Sequence, residues 1–244
     1  MTDYLINETA KSKLTIIIKA YDAVMKGIQE EALASVDRAY GGIVRAGKGV
    51  LVENIATQLI DIAWNDILDQ LSSRLTMNKT KINIGIKNEY ISKIPNETVK
   101  KYVGDHLADH IYKFGTDVHV FIDDKLVLPI ECKAYTENAM LKRILFDASL
   151  MKEATGINNY FLLQLESQLG GDYSTLNEII YGSKPSHAIL SHVDINLEII
   201  TLLKGERKVM APIHKTEFYK ELTLFQLERA LLKFTSALEK YKKR

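Results

Sequence analysis

Asp117, Glu131 and Lys133 are the residues of this chain whose types and spacing best suit chemistry. They lie in Gly115-Thr-Asp-Val-His-Val-Phe-Ile-Asp-Asp-Lys-Leu-Val-Leu-Pro-Ile-Glu-Cys-Lys-Ala-Tyr135, which reads as a β-hairpin. Successive strand side chains point to opposite faces. Val127, Glu131, Lys133 and Tyr135 are therefore expected on one face of the second strand, with Leu126, Leu128, Ile130 and Cys132 on the other. On the first strand Asp117, His119 and Phe121 alternate with Val118, Val120 and Ile122. A loop centred on Asp124, with Asp123 and Lys125 completing the turn, sets Asp117 directly across from Glu131. A two-residue turn pairs Asp117 with Cys132 and sends the carboxylates to opposite faces. Facing carboxylates repel, and a cation between them reverses the sign. Hard oxygen ligands from one or two carboxylates, completed by water and substrate phosphate, are what Mg²⁺ takes. Lys133, beside Glu131, is placed to orient or deprotonate a water and to offset charge on a phosphorane-like transition state.

An acid-x-Lys tripeptide alone decides little: Asp123-Asp-Lys125, Glu131-Cys-Lys133 and Glu206-Arg-Lys208 all occur, about the number chance supplies. Only the middle one ends an apolar strand with an aspartate on a strand upstream. Thr116-Asp117, an apolar strand, a tight turn and Ile130-Glu131-Cys132-Lys133 together resemble the signature of the PD-(D/E)xK nucleases, most closely that of type II restriction endonucleases. Thr116 stands where that motif has proline, a position that does no chemistry.

The resemblance implies a Mg²⁺-dependent, sequence-specific endonuclease of double-stranded DNA. Asp117, Glu131 and the Cys132 carbonyl would bind the metal and Lys133 would serve the attacking water. It further implies a homodimer, since symmetric DNA sites are read by two-fold dimers, and a companion DNA methyltransferase. Glu53, in the first turn of a helix ahead of the motif, suits the helix dipole; in many restriction endonucleases a glutamate so placed also reaches the metal. Two alternatives stay open: a repair or processing nuclease of the same fold, and a nuclease-like module that binds nucleic acid without cutting.

The rest of the chain must position these groups. At 244 residues, it suits a single α/β nuclease domain, divided into a helical section (1–75), a catalytic sheet core (79–203) and a basic loop with a final helix (204–244). The expected fold is a mixed β-sheet flanked by helices. A net charge of +1 does not advertise a nucleic-acid partner, but a DNA-cleaving enzyme needs only a local positive cleft. The single Cys132 excludes an internal disulfide and a cysteine-rich zinc site. The opening residues lack the basic and apolar regions of a signal peptide, so the expected location is the cytoplasm.

Leu14, Ile17, Ile18, Tyr21, Val24, Met25 and Ile28 fall at helical spacing. Gly41-Gly42 and Gly47-Lys-Gly49 should break the pattern, with a second helix from Val50 to Leu71. Gly42-Ile-Val-Arg-Ala-Gly-Lys-Gly49 approaches a phosphate-binding P-loop, but Gly49 replaces the hydroxyl that would meet Mg²⁺. It reads as a helix connection whose Arg45 and Lys48 could touch DNA phosphates. Lys81 to Ile86 alternates like a strand, and a helix capped by Asn96 is expected to reach Phe114. His106 and His110 on it lack the glutamate of a zinc protease motif.

After the hairpin, Thr136 should cap a helix from Glu137 to Ala154 that brings Lys142 and Arg143 within reach of a phosphate. Asn159 to Leu165 reads as a strand buried on both faces and paired in parallel. A loop at Gly170 to Ser174, a short helix at Leu176 to Tyr181 and strands at His187 to Leu190 and Leu197 to Leu203 follow. Arg207 and Lys208 sit in an exposed basic segment suited to phosphates or guanine edges. Thr223 with Gln226 forms a capping box for the last helix.

Overall fold

The computed structural model describes residues 4–34, 39–171 and 183–243, with side chains omitted at 31–34 and 39–45. The loop expected at Gly170 to Ser174 lies partly, and the helix at Leu176 to Tyr181 wholly, outside the described residues. Helix α1 (Glu8–Ala34) leads to α2 (Ala39–Asp61), which passes into a π-helical turn at Ile62–Ile67. Strands β1 (Leu75–Asn78) and β2 (Ile82–Gly85), helices α3 (Asn88–Ser92) and α4 (Glu97–Asp105), and strand β3 (Ile111–Phe114) follow. Then come β4 (Val118–Ile122), β5 (Lys125–Glu137), α5 (Asn138–Thr155), β6 (Asn159–Gln168), α6 (Lys184–Ser191), β7 (Asn196–Thr201) and α7 (Leu224–Leu238).

Five strands form one mixed sheet in the order β1-β4-β5-β6-β7, antiparallel up to β5 and parallel from β5 to β7. The expected α/β class therefore stands. One face carries a core in which Leu128, Ile130, Cys132, Leu163 and Leu165 meet Leu14, Tyr21, Ile55, Leu59 and Phe234 from α1, α2 and α7. The other face is covered by α5, with Ile144, Ala148 and Met151 against Tyr160 and Leu162. β6 is buried on both sides because both layers of helix press on it, and its continuous apolar run follows from that.

The glycines at 41, 42, 47 and 49 do not break a helix: α2 runs through them and starts eleven residues before the expected Val50. A Cβ on Gly47 would stand 3.0 Å from Ile28 Cδ1, so this glycine serves close packing of α2 on α1. Tertiary contact overrides propensity there, and the P-loop reading falls with the loop. The helix expected to reach Phe114 ends at Asp105, although Asn96 caps it as predicted by accepting from the Val99 N–H at 3.0 Å. Ile111–Phe114 instead pairs with β2 as a separate two-stranded ribbon. His187 to Leu190 is helical: the Ser183 side chain accepts from the Ser186 N–H and Pro185 occupies the first turn, a start signal that outranks the short apolar run. Thr136 stays within β5, and Glu137 holds the cap position of α5.

The hairpin of β4 and β5 turns on two residues, Asp123 and Asp124, with Ile122 paired to Lys125. Their φ values of 48° and 62° are those of the primed turn that matches strand twist. Asp123 is further held by Arg74, with Nε to Oδ1 at 2.9 Å and Nη2 to Oδ2 at 2.8 Å. A two-residue turn alone would separate the two carboxylates. The register shifts by one, however, between Phe121↔Leu126 and Val120↔Leu128. Val127 is the extra residue of a β-bulge, and both Val127 and Leu128 enter the helical core while Leu126 packs toward α5. The grouping of Leu126 with Leu128, and of Val127 with Glu131, is thereby corrected. Beyond the bulge Val118 faces Ile130, and continuing that register puts Asp117 across from Glu131.

Asp124 makes the left-handed conformation cost more than glycine would. Asp124→Gly should raise the urea midpoint by the equivalent of about 0.5–1 kcal/mol, and Asp124→Val should lower it. Equal midpoints for the two variants would contradict this account of the turn.

Candidate active site

Asp117 precedes β4, and its side chain bends back to the main chain of β5. Its Oδ2 accepts the Cys132 N–H at 2.7 Å and the Lys133 ammonium at 3.0 Å. Lys133 Nζ also donates to the Cys132 carbonyl at 3.1 Å and lies 2.5 Å from Glu131 Oε1. Three oxygens, from Asp117, Glu131 and the main chain of residue 132, thus converge on one cation. The side chains are partly shielded, with 29% of Asp117, 20% of Lys133 and 8% of Glu131 exposed. Burial opposes the charge on Lys133, but Glu131 and Asp117 outweigh it and raise its pKa. Burial likewise pushes the Glu131 carboxyl up, with Lys133 pulling the other way.

Among the described residues no group of three His, Cys, Asp or Glu side chains converges as a closed metal cage. The donors at this site are two carboxylates and a carbonyl, all hard oxygens. Such an incomplete set leaves positions for water and phosphate, as Mg²⁺ requires.

Thr116 is fixed beneath Asp117. Its N–H donates to His119 Nε2 at 3.1 Å and its hydroxyl to the Val118 carbonyl at 3.0 Å, so two hydrogen bonds hold the chain just ahead of Asp117.

The other predicted residues divide. Arg143 reaches the site from α5, its Nη2 lying 3.8 Å from Glu131 Oε1, while Lys142 beside it is exposed. Arg207 stacks over Tyr135, 3.8 Å from the ring centroid, with its guanidinium bonded to Gln168 Oε1; Tyr135 shares the face of Lys133 two residues on. Lys208 is exposed in the same loop. Lys48 is a correction. It is only 8% exposed, and burial lowers its pKa to about 8 against the attraction of Glu166, so it lies inside the protein instead of facing a phosphate. The Arg45 side chain lies outside the described residues.

Glu53 comes from α2, on the Cys132 side of the sheet. Its Oε2 pairs with Lys79 Nζ at 2.5 Å, and its charge acts with that of Asp117 on the buried Cys132 thiol. Glu53 is therefore near the strand pair but engaged by Lys79, apart from the three converging oxygens. His106 and His110 are bonded through Nδ1 to the carbonyls of Tyr102 and His106, each at 2.8 Å.

Three residues at the site escaped the sequence reading. Asp147, one turn beyond Arg143 on α5, lies 3.9 Å from Arg143 Nε and adds to the field that raises Glu131; the spacing of four was its only signal. Tyr160 is 2% exposed, with a hydroxyl that has no hydrogen-bond partner among the described residues and lies in the field of Glu131, Asp147 and Asp117. Lys79 follows β1, a strand too short to stand out.

His119 is buried, and burial first, then Lys81, lowers its pKa; burial with Lys48 and Lys215 does the same to His214. The fold holds both neutral to lower pH than the unfolded chain, which takes up these protons as pH falls through about 6.5. Their stabilisation is complete above that pH and is lost below it. The thermal midpoint should fall between about pH 7.5 and about pH 5. His119→Gln, which keeps an acceptor for Thr116, should reduce that fall, and a drop unchanged by the substitution would exclude His119 as its source.

No family model matches the chain. The type II restriction enzyme DdeI of Desulfomicrobium norvegicum is 46% identical to it over 223 residues, covering 90% of this chain and 93% of that enzyme. Among solved structures, the native BbvCI A2B2 tetramer at low resolution aligns with a TM-score of 0.38 and 13% identity, over 97% of this chain and 90% of that one. A structural likeness this weak supports no inference.

Proposed function

The chain belongs to the type II restriction enzymes, and from that premise we propose that it cuts double-stranded DNA at the Asp117, Glu131 and Lys133 cluster with Mg²⁺ as cofactor. As a member of that family it is a sequence-specific endonuclease. The observation that carries the mechanism is the convergence of Asp117 Oδ2, Glu131 Oε1 and the Cys132 carbonyl within 3.1 Å of Lys133 Nζ. In this reading the residues are a PD-(D/E)xK site, with Thr116 in place of the proline.

Asp117, Glu131 and the Cys132 carbonyl would hold the ion, with Glu53 as a further candidate once it parts from Lys79. Bound there, Mg²⁺ supplies a Lewis acid that activates water and neutralises phosphate charge. Lys133 keeps its proton beside the two carboxylates and acts as a donor, orienting the attacking water and offsetting charge on the nonbridging phosphate oxygens as attack proceeds in line with the leaving oxygen. Arg143 stands where it could bind the same phosphate. Asp147 restrains Arg143 through their one-turn spacing. Lys142, Arg207 and Lys208 would add phosphate contacts along the duplex.

No helix among the described residues is long and apolar enough to cross a membrane. We place the enzyme in the cytoplasm, working as one nuclease domain per chain, as a homodimer, with a DNA methyltransferase protecting the host's own sites.

Purified protein incubated with a sequenced plasmid and Mg²⁺ should give discrete fragments with common ends, and EDTA should stop the cutting reversibly. Random smearing would favour a processing nuclease. Lys133→Ala should lower kcat by about a hundredfold to ten-thousandfold and leave duplex binding in place. In calorimetry Asp117→Ala should lose Mn²⁺ binding; an unchanged isotherm would remove Asp117 from the ion site. Sedimentation at micromolar concentration should return a dimer, and a strict monomer would exclude that assembly.

A further inference from the structure

β1 and β4 are neighbours in the sheet, yet residues 79–114 are inserted between them. Of these 36 positions only Ile94, Val103 and Phe114 are buried. A stretch so poor in core contributes little to the fold's own stability. Its charge is also distinctive, since seven lysines against four carboxylates give it +3 while the whole chain carries +1. Lys79 and Lys87 are committed to carboxylates outside the insertion, Glu53 and Glu153, while Lys81 and Lys113 form no ion pair among the described residues.

Within the insertion, β2 and β3 pair only with each other. Ile82, Ile84 and Phe114 form the inner face of this ribbon and pack toward α5. By alternation Asn83 and its cross-strand partner Lys113 lie on the outer face, with Lys81 just ahead of the strand on the same side. All three are exposed. The ribbon adjoins the active site: Lys81 Cδ lies 3.3 Å from where a Cβ of Gly115 would stand, and Gly115 is two residues from Asp117. A two-stranded ribbon fits the major groove of duplex DNA. There, lysine and asparagine side chains are suitable partners for guanine and adenine edges.

We propose that the outer face of the β2–β3 ribbon, through Lys81, Asn83 and Lys113, is a DNA-docking surface that enters the major groove beside the scissile phosphate and contributes to site recognition. The proposal rests on the endonuclease reading and identifies which part of the chain delivers the duplex. The lysines supply attraction to the polyanion, and Asn83 supplies a bidentate amide able to distinguish bases.

The test uses the full chain and a fluorescent duplex containing one mapped plasmid cut site. Lys81→Gln with Lys113→Gln should weaken binding in EDTA by about tenfold or more and lower the slope of log Kd against log salt by about 1–2. kcat at saturating DNA should be retained, and the double Lys→Arg variant should restore binding and slope. Asn83→Ala should increase cutting at sites altered by one base relative to the mapped site. Lys113→Gln alone serves as the companion variant should the pair lower the thermal midpoint. Wild-type affinity and salt slope in the Gln variants would overturn the proposal, as would a changed sedimentation state with DNA binding intact, which would assign the ribbon to contact between copies. Wild-type protein that leaves the plasmid uncut in Mg²⁺ would instead sink the cleavage mechanism, and the affinity and salt-slope comparison would then be read on a fluorescent fragment of the same plasmid.

Discussion

Two carboxylates held across a strand pair repel each other, and the Lys133 ammonium reverses that repulsion. It lies 3.0 Å from Asp117 and 2.5 Å from Glu131 in a partly desolvated setting, where the attraction is stronger than at an open surface. The rest of the hairpin supports this contact. Cys132 donates its N–H to Asp117 and offers its carbonyl to Lys133, so the main chain between the two motif residues is fixed by the same charges.

β5 gives that cluster its rigidity. It pairs antiparallel with β4 through residues 125–130 and parallel with β6 through residues 130–137, lying at the centre of the sheet with helices on both sides. Glu131 faces α5, which adds Arg143 and Asp147, while Cys132 faces α2 and the larger core. Each helical layer thus presses on the motif from its own side, and small displacements of either are resisted by close packing.

The motif and the apolar stripes were legible because short-range alternation and helical spacing encode them directly. Leu14, Ile17, Tyr21, Met25 and Ile28 are buried as their spacing demanded, and Thr223 with Gln226 caps α7. The bulge at Val127 was not legible. Nothing local distinguishes that valine from its neighbours, and the hairpin was left with two registers; the carboxylate pairing of one is reached from the observed Asp123–Asp124 turn only through the bulge. α2 was misread because Gly47 is chosen for its contact with Ile28, information held nineteen residues away. Asp147 and Tyr160 were missed for a related reason: they meet Glu131 only after α5 folds back across the sheet and β6 pairs with β5.

Of the three oxygens gathered at the site, one belongs to the peptide unit of residue 132 and to no side chain. Every amino acid carries that carbonyl, so genetic variation at this codon leaves the donor in place. The side chain must fill the space beneath the strand, and proline is excluded because the N–H of residue 132 is given to Asp117. Substitutions of similar volume at residue 132 therefore repack the interior without removing an oxygen from the cluster above it.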